Sequence, residues 1–244
     1  MHKVSIRRHI IDRVVARRGD VHWFTRLEPK KTALAIVDMQ NTFCMPGAPG
    51  EVVAARGIVP VINRLTARLR ALRIPVIWVL HANTHSAGRS DWEVFFNYVV
   101  RNREIRQRMV ESLSPAKQQV WKEMVVEPSD ITIIKNRYSA LAHGASSLER
   151  VLRNLGIDTL LVGGTKTNVC CDSTARDAMM LDFKSVLLSD CCAALSDDEH
   201  LGALETFIQQ FGDVMTSDEA LERLQPEGSA QDLKPSAALN TQET

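Results

Sequence analysis

The sequence of 244 residues has few aromatic residues, almost no net charge and no long apolar run. Lys and Arg number 30 against 29 Asp and Glu, so no overall electrostatic field attracts phosphate backbones or anionic membranes. No apolar stretch reaches the roughly 18 residues that span a bilayer, and the N-terminal residues lack the apolar run of a secretory signal. We therefore expect a cytoplasmic protein that binds neither nucleic acid nor membrane.

The cysteine pattern is also informative through what it lacks. The five cysteines include no CxxC pair, and their number is odd. This pattern fits neither a zinc site nor the disulfide framework of a secreted domain, so a functional cysteine would act as a thiol. No GxGxxG follows the first predicted strand, which argues against a dinucleotide-binding fold of the Rossmann type.

Short aliphatic runs alternate with helical apolar patterns through the middle of the chain. A run of this kind between polar segments is typical of a strand that is buried on both faces. Alternating strands and amphipathic helices predict an α/β fold, a three-layer α-β-α arrangement around a mostly parallel, doubly wound six-stranded sheet. The predicted strands are residues 32–38, 75–80, 131–134, 159–162, 185–188 and 212–216.

Three further regions surround or interrupt this pattern. Residues 1–30 are predicted to form a basic helical arm, since apolar residues recur there on one helical face, and we expect it to pack on its own domain or a neighbouring subunit. Residues 31–225 form the predicted catalytic domain, and residues 226–244 are predicted to be disordered. The segment 81–128 has few strand signals and is interpreted as an insertion over the active-site end of the sheet.

The residues that end the strands are the candidates for chemistry, because ligands of open α/β sheets bind beyond the carboxyl ends of the strands. Asp38 ends the first strand and Lys135 the third; alone, either residue also fits a helix cap or a solvated charge. Cys170 follows a Gly-Gly turn and is predicted on the first turn of a helix. Unpaired amides and the helix dipole would there lower the pKa of the thiol. Its alternative is a small buried packing residue.

Taken together, the three strand ends resemble a known family. Val-Asp-Met-Gln-Asn, Ile-Lys-Asn-Arg-Tyr-Ser and Gly-Gly-Thr-Lys-Thr-Asn-Val-Cys-Cys-Asp-Ser-Thr resemble the isochorismatase-like cysteine hydrolases, over roughly residues 30–222. The resemblance implies that Asp38, Lys135 and Cys170 form a catalytic triad. It further implies a cis peptide bond between Thr165 and Lys166, an oxyanion site made by the amides of Lys166 and Cys170, no cofactor, and a homodimer or homotetramer.

Differences between this sequence and the motifs of individual family members reduce the number of expected substrate classes. True isochorismatases lack a cysteine at the position of Cys170 and hydrolyse an enol ether, so the cysteine favours an amide, carbamoyl or ureido carbon. Nicotinamidases carry an Asp-x-His…His metal site after the second strand, whereas no aspartate precedes His81 here, and His85 is predicted to lie in a loop. We therefore expect no metal. The predicted substrate-binding residues are Gln40, Phe43, His81, Asn83, Trp92 and Tyr138.

The sequence thus predicts a cysteine-dependent hydrolase that cleaves a C–N bond of a small molecule through a thioester and releases ammonia or an amine. An ester or enol ether hydrolase of the same fold, or a binding protein without catalysis, is the alternative. A thiol-transfer protein is a third possibility, but it would need a resolving cysteine, and Cys171 is sterically the wrong neighbour for Cys170.

Overall fold

A six-stranded, wholly parallel sheet forms the centre of the protein in the computed structural model, which describes residues 2–224. The order across the sheet is β5-β2-β1-β6-β7-β8. The α/β fold and all six strands are confirmed, and the sheet is wholly rather than mostly parallel; the predicted disordered tail lies outside the described residues. The strands are β1 (Thr32–Val37), β2 (Val76–His81), β5 (Ile131–Lys135), β6 (Thr159–Thr165), β7 (Lys184–Ala193) and β8 (Asp213–Met215).

Helices cover both faces of the sheet. One face packs on α5, α6 and α7, and the opposite face packs on α3 and α8, so apolar side chains fill two cores. Strands β1, β2 and β6 are buried along their whole length, which explains their continuous aliphatic runs. The helices are α1 (Arg8–Arg18), α2 (Asn41–Cys44), α3 (Ala55–Ala71), α4 (Arg103–Ser112), α5 (Leu148–Asn154), α6 (Asp172–Met180), α7 (Asp197–Gln210) and α8 (Ser217–Arg223).

The edge strand β5 shows how the sheet aims a charged side chain inward. Ile133 and Lys135 are buried, whereas Thr132 and Ile134, which alternate with them along the strand, are exposed. Because side chains alternate between the faces of a strand, Lys135 points to the same side as Ile133, into the protein. The terminal lysine of an edge strand is therefore fully buried.

The insertion between β2 and β5 folds over the carboxyl end of the sheet. It contains a short antiparallel hairpin of β3 (His85–Ser86) and β4 (Arg89–Ser90), a π-helical turn at Phe95–Val99, and α4. Its apolar side chains form a third, small core that includes Phe43 from α2 and packs against Trp92 and Tyr138. This agrees with its predicted place above the sheet end.

The N-terminal arm packs on the domain that follows it. Helix α1 lies against α7, and it buries Ile10 and Val14 in the core on that face of the sheet. Arg7 binds the buried carboxylate of Glu205 through its backbone amide and its guanidinium. The basic side chains therefore serve contacts with the protein's own α7. No helix among residues 2–224 is long and apolar enough to cross a membrane.

Candidate active site

The carboxyl ends of β1, β5 and β6 bring Asp38, Lys135 and Cys170 together. Lys135 Nζ donates a hydrogen bond of 2.9 Å to Asp38 Oδ2, and both side chains are fully buried. The sulfur of Cys170, a carboxylate oxygen of Asp38 and a ring nitrogen of His81 all lie within 4.8 Å of one another. The three residues expected from the strand ends thus share one buried site.

Asp38 has an unusual backbone and an unsatisfied oxygen. Its φ of +55° lies in the left-handed region, which few residues other than glycine adopt and which aspartate tolerates. Oδ2 accepts from Lys135, whereas no nitrogen or oxygen donor among the described residues reaches the buried Oδ1; the further neighbour of the carboxylate is the Cys170 thiol, whose hydrogen bond affects the pKa of Asp38. Burial raises the pKa of this carboxyl above its ordinary value, although the charge of Lys135 opposes the shift. Oδ1 is therefore the atom that is free to receive a proton.

Lys135 is held by three acceptors, which match the three donors of an ammonium group. Besides Asp38, Nζ contacts Nδ1 of His81 at 3.1 Å and the carbonyl of Arg137 at 3.1 Å. Burial by itself would lower the pKa of Lys135, but the negative charge of Asp38 and its hydrogen bond to the ammonium oppose that effect and raise the pKa. The lysine is consequently a fixed cation.

His81 and Asn83 extend this network away from the triad. Because the Lys135 ammonium can only donate, Nδ1 of His81 accepts, and Nε2–H donates to Asn83 Oδ1 at 2.9 Å. Asn83 Nδ2 in turn donates to Asp91 Oδ1 at 2.7 Å. Burial and the charge of Lys135 place the pKa of His81 well below its ordinary value, so the imidazole is neutral. Both ring nitrogens of His81 are thus bonded within the protein, and its predicted contact with substrate stays a prediction.

Asp91 is a member of this network that the sequence analysis missed. It follows the β3–β4 hairpin, and its carboxylate accepts from Asn83, Asn136 and Thr84. These bonds outweigh the effect of burial and lower the pKa of Asp91. Only the hairpin brings it back to the end of β2, so no signal in the local sequence would have identified it.

Of the other predicted substrate-binding residues, Gln40 has a structural contact and the aromatic residues lie over the site. Gln40 donates to the carbonyl of His81 at 3.0 Å and accepts from its amide at 2.7 Å, so it fixes the end of β2. Trp92 stacks on His81 at 5.7 Å and meets Tyr138 edge to face at 4.6 Å. Phe43 lies in the small apolar core beneath them. The predicted contact of Trp92 and Tyr138 with substrate stays a prediction.

Cys170 lies in a π-helical turn, Thr167–Cys171, that leads into α6. This corrects the predicted first turn of an α-helix; single π-helical turns are frequent at functional sites. The expected thiolate is corrected as well. Burial and the neighbouring carboxylate of Asp38 raise the pKa of the Cys170 thiol well above its ordinary value, so the resting group is a neutral thiol.

The backbone before Cys170 comes unusually close to β1. The peptide bond between Thr165 and Lys166 is cis, as the resemblance implied. Gly164 has a φ of +120°, and a Cβ there would lie 2.0 Å from the carbonyl oxygen of Val37. Only glycine allows β6 to approach β1 this closely, beside Asp38.

The remaining thiols and histidines of interest lie in other settings. The four cysteines other than Cys170 are buried and form no disulfide bonds. His85 lies in the exposed hairpin with its ring against Phe96, so it does not join His81 on a helix. A divalent metal does not fit the cluster of Asp38, His81 and Cys170, because the Lys135 ammonium already bonds an oxygen of Asp38 and Nδ1 of His81.

Comparisons with known proteins agree with the geometry. The Isochorismatase domain matches residues 32–219. Ureidoacrylate amidohydrolase RutB from Pseudomonas savastanoi pv. phaseolicola (strain 1448A / Race 6) is 32% identical over 219 residues, 83% of this chain and 87% of that protein. The crystal structure of a cysteine hydrolase from Pseudomonas syringae pv. phaseolicola 1448A superimposes with a TM-score of 0.69 at 29% identity, covering 81% of this chain and 93% of the other. The predicted resemblance is confirmed, and this chain belongs to the isochorismatase family.

Proposed function

We propose that the protein is a cysteine hydrolase that cleaves the C–N bond of a small amide, carbamoyl or ureido compound. One observation carries the proposal: no nitrogen or oxygen donor among the described residues occupies the buried Oδ1 of Asp38, and the Cys170 thiol lies beside this carboxylate, close enough for their hydrogen bond to affect the pKa of both groups. Sequence similarity to a ureidoacrylate amidohydrolase and to a protein described as a cysteine hydrolase supports the reaction class.

The acylation half begins with transfer of the thiol proton to Asp38. Burial raises the pKa of both groups, and Lys135 holds the other carboxylate oxygen, so the proton moves between neighbours without exposure to water. The thiolate then attacks the carbonyl carbon and forms the C–S bond. The negative charge that develops on the carbonyl oxygen is accepted by the amides of Lys166 and Cys170.

The tetrahedral intermediate collapses when the C–N bond breaks. Asp38 returns its proton to the leaving nitrogen, which departs as ammonia or an amine and leaves a thioester on Cys170. A water molecule then gives a proton to Asp38 and its oxygen to the acyl carbon; the C–S bond breaks and the thiol regains the proton. One carboxyl or carbamic acid group and one amine result from each water consumed, and no cofactor takes part.

Substrate contacts follow from the residues above the triad. Trp92 and Tyr138 present ring faces and edges there, and Phe43 supports them from the small apolar core. We assign these rings to the substrate pocket, and Gln40, His81 and Asn83 to its frame. We further propose a cytoplasmic homodimer or homotetramer; light scattering during size-exclusion chromatography measures the assembly.

Product release from a panel of primary amides, ureas, N-carbamoyl amino acids and ureido acids tests the function. We expect ammonia or amine from at least one class, and mass spectrometry of acid-quenched enzyme should find the acyl group on Cys170. Cys170→Ser should abolish release. Cys192→Ser is the matched control: Cys192 is also buried, and its thiol contacts the Val162 carbonyl, which a hydroxyl can also reach. Full activity in Cys170→Ser, or cleavage of esters alone, would contradict the proposal.

A further inference from the structure

The first residues of the N-terminal arm reach the structure that carries Cys170. The side chain of His2 is only 5% exposed, and its ring stacks on that of His200 with the centroids 4.4 Å apart and the planes 17° apart. His200 lies in the first turn of α7. A residue at the very start of the chain is thus built into the domain near its carboxyl sheet edge.

The hydrogen bonds of His2 fix its ring. The amide of Ala194 donates to Nε2 at 2.9 Å, so Nδ1 carries the hydrogen and donates to Asp197 Oδ1 at 2.5 Å. Ala194 directly follows β7, and Asp197 begins α7. His2 therefore ties the end of β7 to the start of α7.

His200 continues the contact to the catalytic turn. Its Nδ1 lies 2.8 Å from Oγ1 of the buried Thr167, the first residue of the π-helical turn and the direct neighbour of Lys166. Thr165, on the other side of Lys166, donates through its hydroxyl to the carbonyl of Ala193. Both residues that flank Lys166 are thus held by the two elements that His2 joins.

The arm is anchored firmly enough to support such a contact. Arg7 binds Glu205 through its amide at 2.9 Å and Nε at 2.8 Å, and Nη2 makes a third contact. Ile10 and Val14 are buried behind it in the same apolar core as Cys170. Residues 2–6 are therefore held at both ends, by Arg7 on Glu205 and by His2 on His200.

We propose that His2 is a positioning residue, which acts through His200 and Thr167 to hold the turn from Lys166 to Cys170 in its catalytic conformation. The inference rests on the proposed function, because it gives the amides of that turn the role of binding the oxyanion. Their interaction with substrate strengthens as the oxygen becomes charged, so a displaced turn affects kcat more than KM.

Arg13 supplies the matched control. It lies on the same arm and also contacts α7, through a bond of 2.8 Å from Nη1 to Gln209 Oε1, but at the opposite end of that helix. We expect His2→Ala to lower kcat roughly fivefold to tenfold with KM within about twofold, and Arg13→Ala to leave kcat unchanged. His2→Gln retains an acceptor for Ala194 and a donor for Asp197, and should recover most of the loss.

Hydrogen exchange of residues 165–171 provides a readout that does not depend on turnover. Exchange there should be faster in His2→Ala than in the wild type, and unchanged in Arg13→Ala. Thr167→Val should lower kcat like His2→Ala, while Thr167→Ser should not, and the losses of His2→Ala and Thr167→Val should not add. If kcat of His2→Ala equals that of Arg13→Ala, the proposal is overturned. If no substrate is found and the proposed function fails, unchanged exchange at 165–171 in His2→Ala overturns it independently.

Discussion

Strand β5 has an ion pair at each of its ends. The two pairs differ in whether both oxygens of the carboxylate accept hydrogen bonds. At the carboxyl end, Lys135 binds Asp38, and no nitrogen or oxygen donor within residues 2–224 reaches the second oxygen of that carboxylate. At the amino end, Asp130 precedes the strand and accepts from Arg70 through both oxygens, from Trp78 Nε1 at 2.8 Å and from the Glu127 amide at 3.0 Å.

The difference appears in the acidity of the two carboxyls. Burial raises the pKa of Asp38 because the charges of Lys135 and Lys166 and the hydrogen bonds of Lys135 and Cys170 do not compensate for it. Burial also acts on Asp130, but the hydrogen bonds from Arg70, Glu127 and Trp78 outweigh it and lower that pKa. A carboxylate whose two oxygens are both hydrogen-bonded stabilises the fold. A carboxylate with one oxygen left over can still take up a proton. Burial of an ion pair alone does not distinguish these roles.

The largest expected effect on kcat comes from the pair of Asp38 and Lys135. Asp38→Asn keeps the size of the side chain but removes the proton acceptor, so kcat should fall by about 10²–10⁴. Steady-state release of amine from the best substrate of the panel measures it. A variant with more than a tenth of the wild-type kcat would show that another group accepts the thiol proton.

The pair of Asp130 and Arg70 should show the reverse pattern, a loss of stability with little change in kcat. Asp130→Asn leaves the mostly buried Arg70 without its counter-ion, and the free energy of unfolding should fall by about 3 kcal/mol. Because Asp130 lies at the opposite sheet edge from Cys170, kcat should stay within about twofold of the wild type. Urea denaturation and the same activity assay measure both. A large loss of kcat in the folded variant would break the proposed division of roles.

Removing one acceptor of Lys135 should have a smaller effect. His81→Phe keeps a ring against Trp92 but leaves one buried ammonium hydrogen unpaired, a defect of about 1–3 kcal/mol. We expect kcat to fall roughly tenfold, as Lys135 shifts relative to Asp38. His85→Phe in the exposed hairpin is the control and should retain activity. If His81→Phe instead raised only KM, direct substrate contact would be the better interpretation of His81.

The smallest effect is a pH dependence with opposite signs for the two carboxyls. Asp130 has a folded pKa below its ordinary 3.8, so its stabilisation is complete above 3.8 and is lost as the pH falls through the folded value. Asp38 has a raised folded pKa, so its contribution grows as the pH falls toward 3.8 and is lost as the pH rises through the folded value. Urea denaturation between pH 3 and 7 should therefore show the deficit of Asp130→Asn shrinking in acid. The acid limb of kcat/KM should lie above 3.8; a limb at or below that value would contradict the assigned role of Asp38.

The fold and the meeting of Asp38, Lys135 and Cys170 at one site could be predicted because their signals are local. Aliphatic runs such as residues 32–37 identify strands, and parallel strands place their terminal residues, Asp38 and Lys135, at one sheet edge. The direction in which the pKa of Cys170 shifts could not be predicted. It depends on complete burial beside Asp38 rather than on the helix that follows. The π-helical turn adds an i→i+5 pattern that apolar spacing does not report.

Two supports of the site depend on contacts between distant parts of the chain. Asp91 reaches Asn83 only because the hairpin folds back, and His2 reaches His200 across almost the whole sequence. The motif around Cys170 identifies the family but carries no information on either contact. The strand-end motifs therefore predicted which residues meet at the sheet edge, but not that His81 contacts Lys135; the predicted contact of His81 with substrate stays a prediction.

The close approach at Gly164 limits how this scaffold can diversify. Any side chain at that position would collide with the main chain of Val37, next to Asp38. Substitution of Gly164 is therefore not a route by which the site could adapt to a new substrate. Trp92 and Tyr138, which we propose to line the substrate pocket, take no part in this contact and are positions where variation is possible. A mutant library aimed at new amides should therefore fix residue 164 and randomise the segment between β2 and β5.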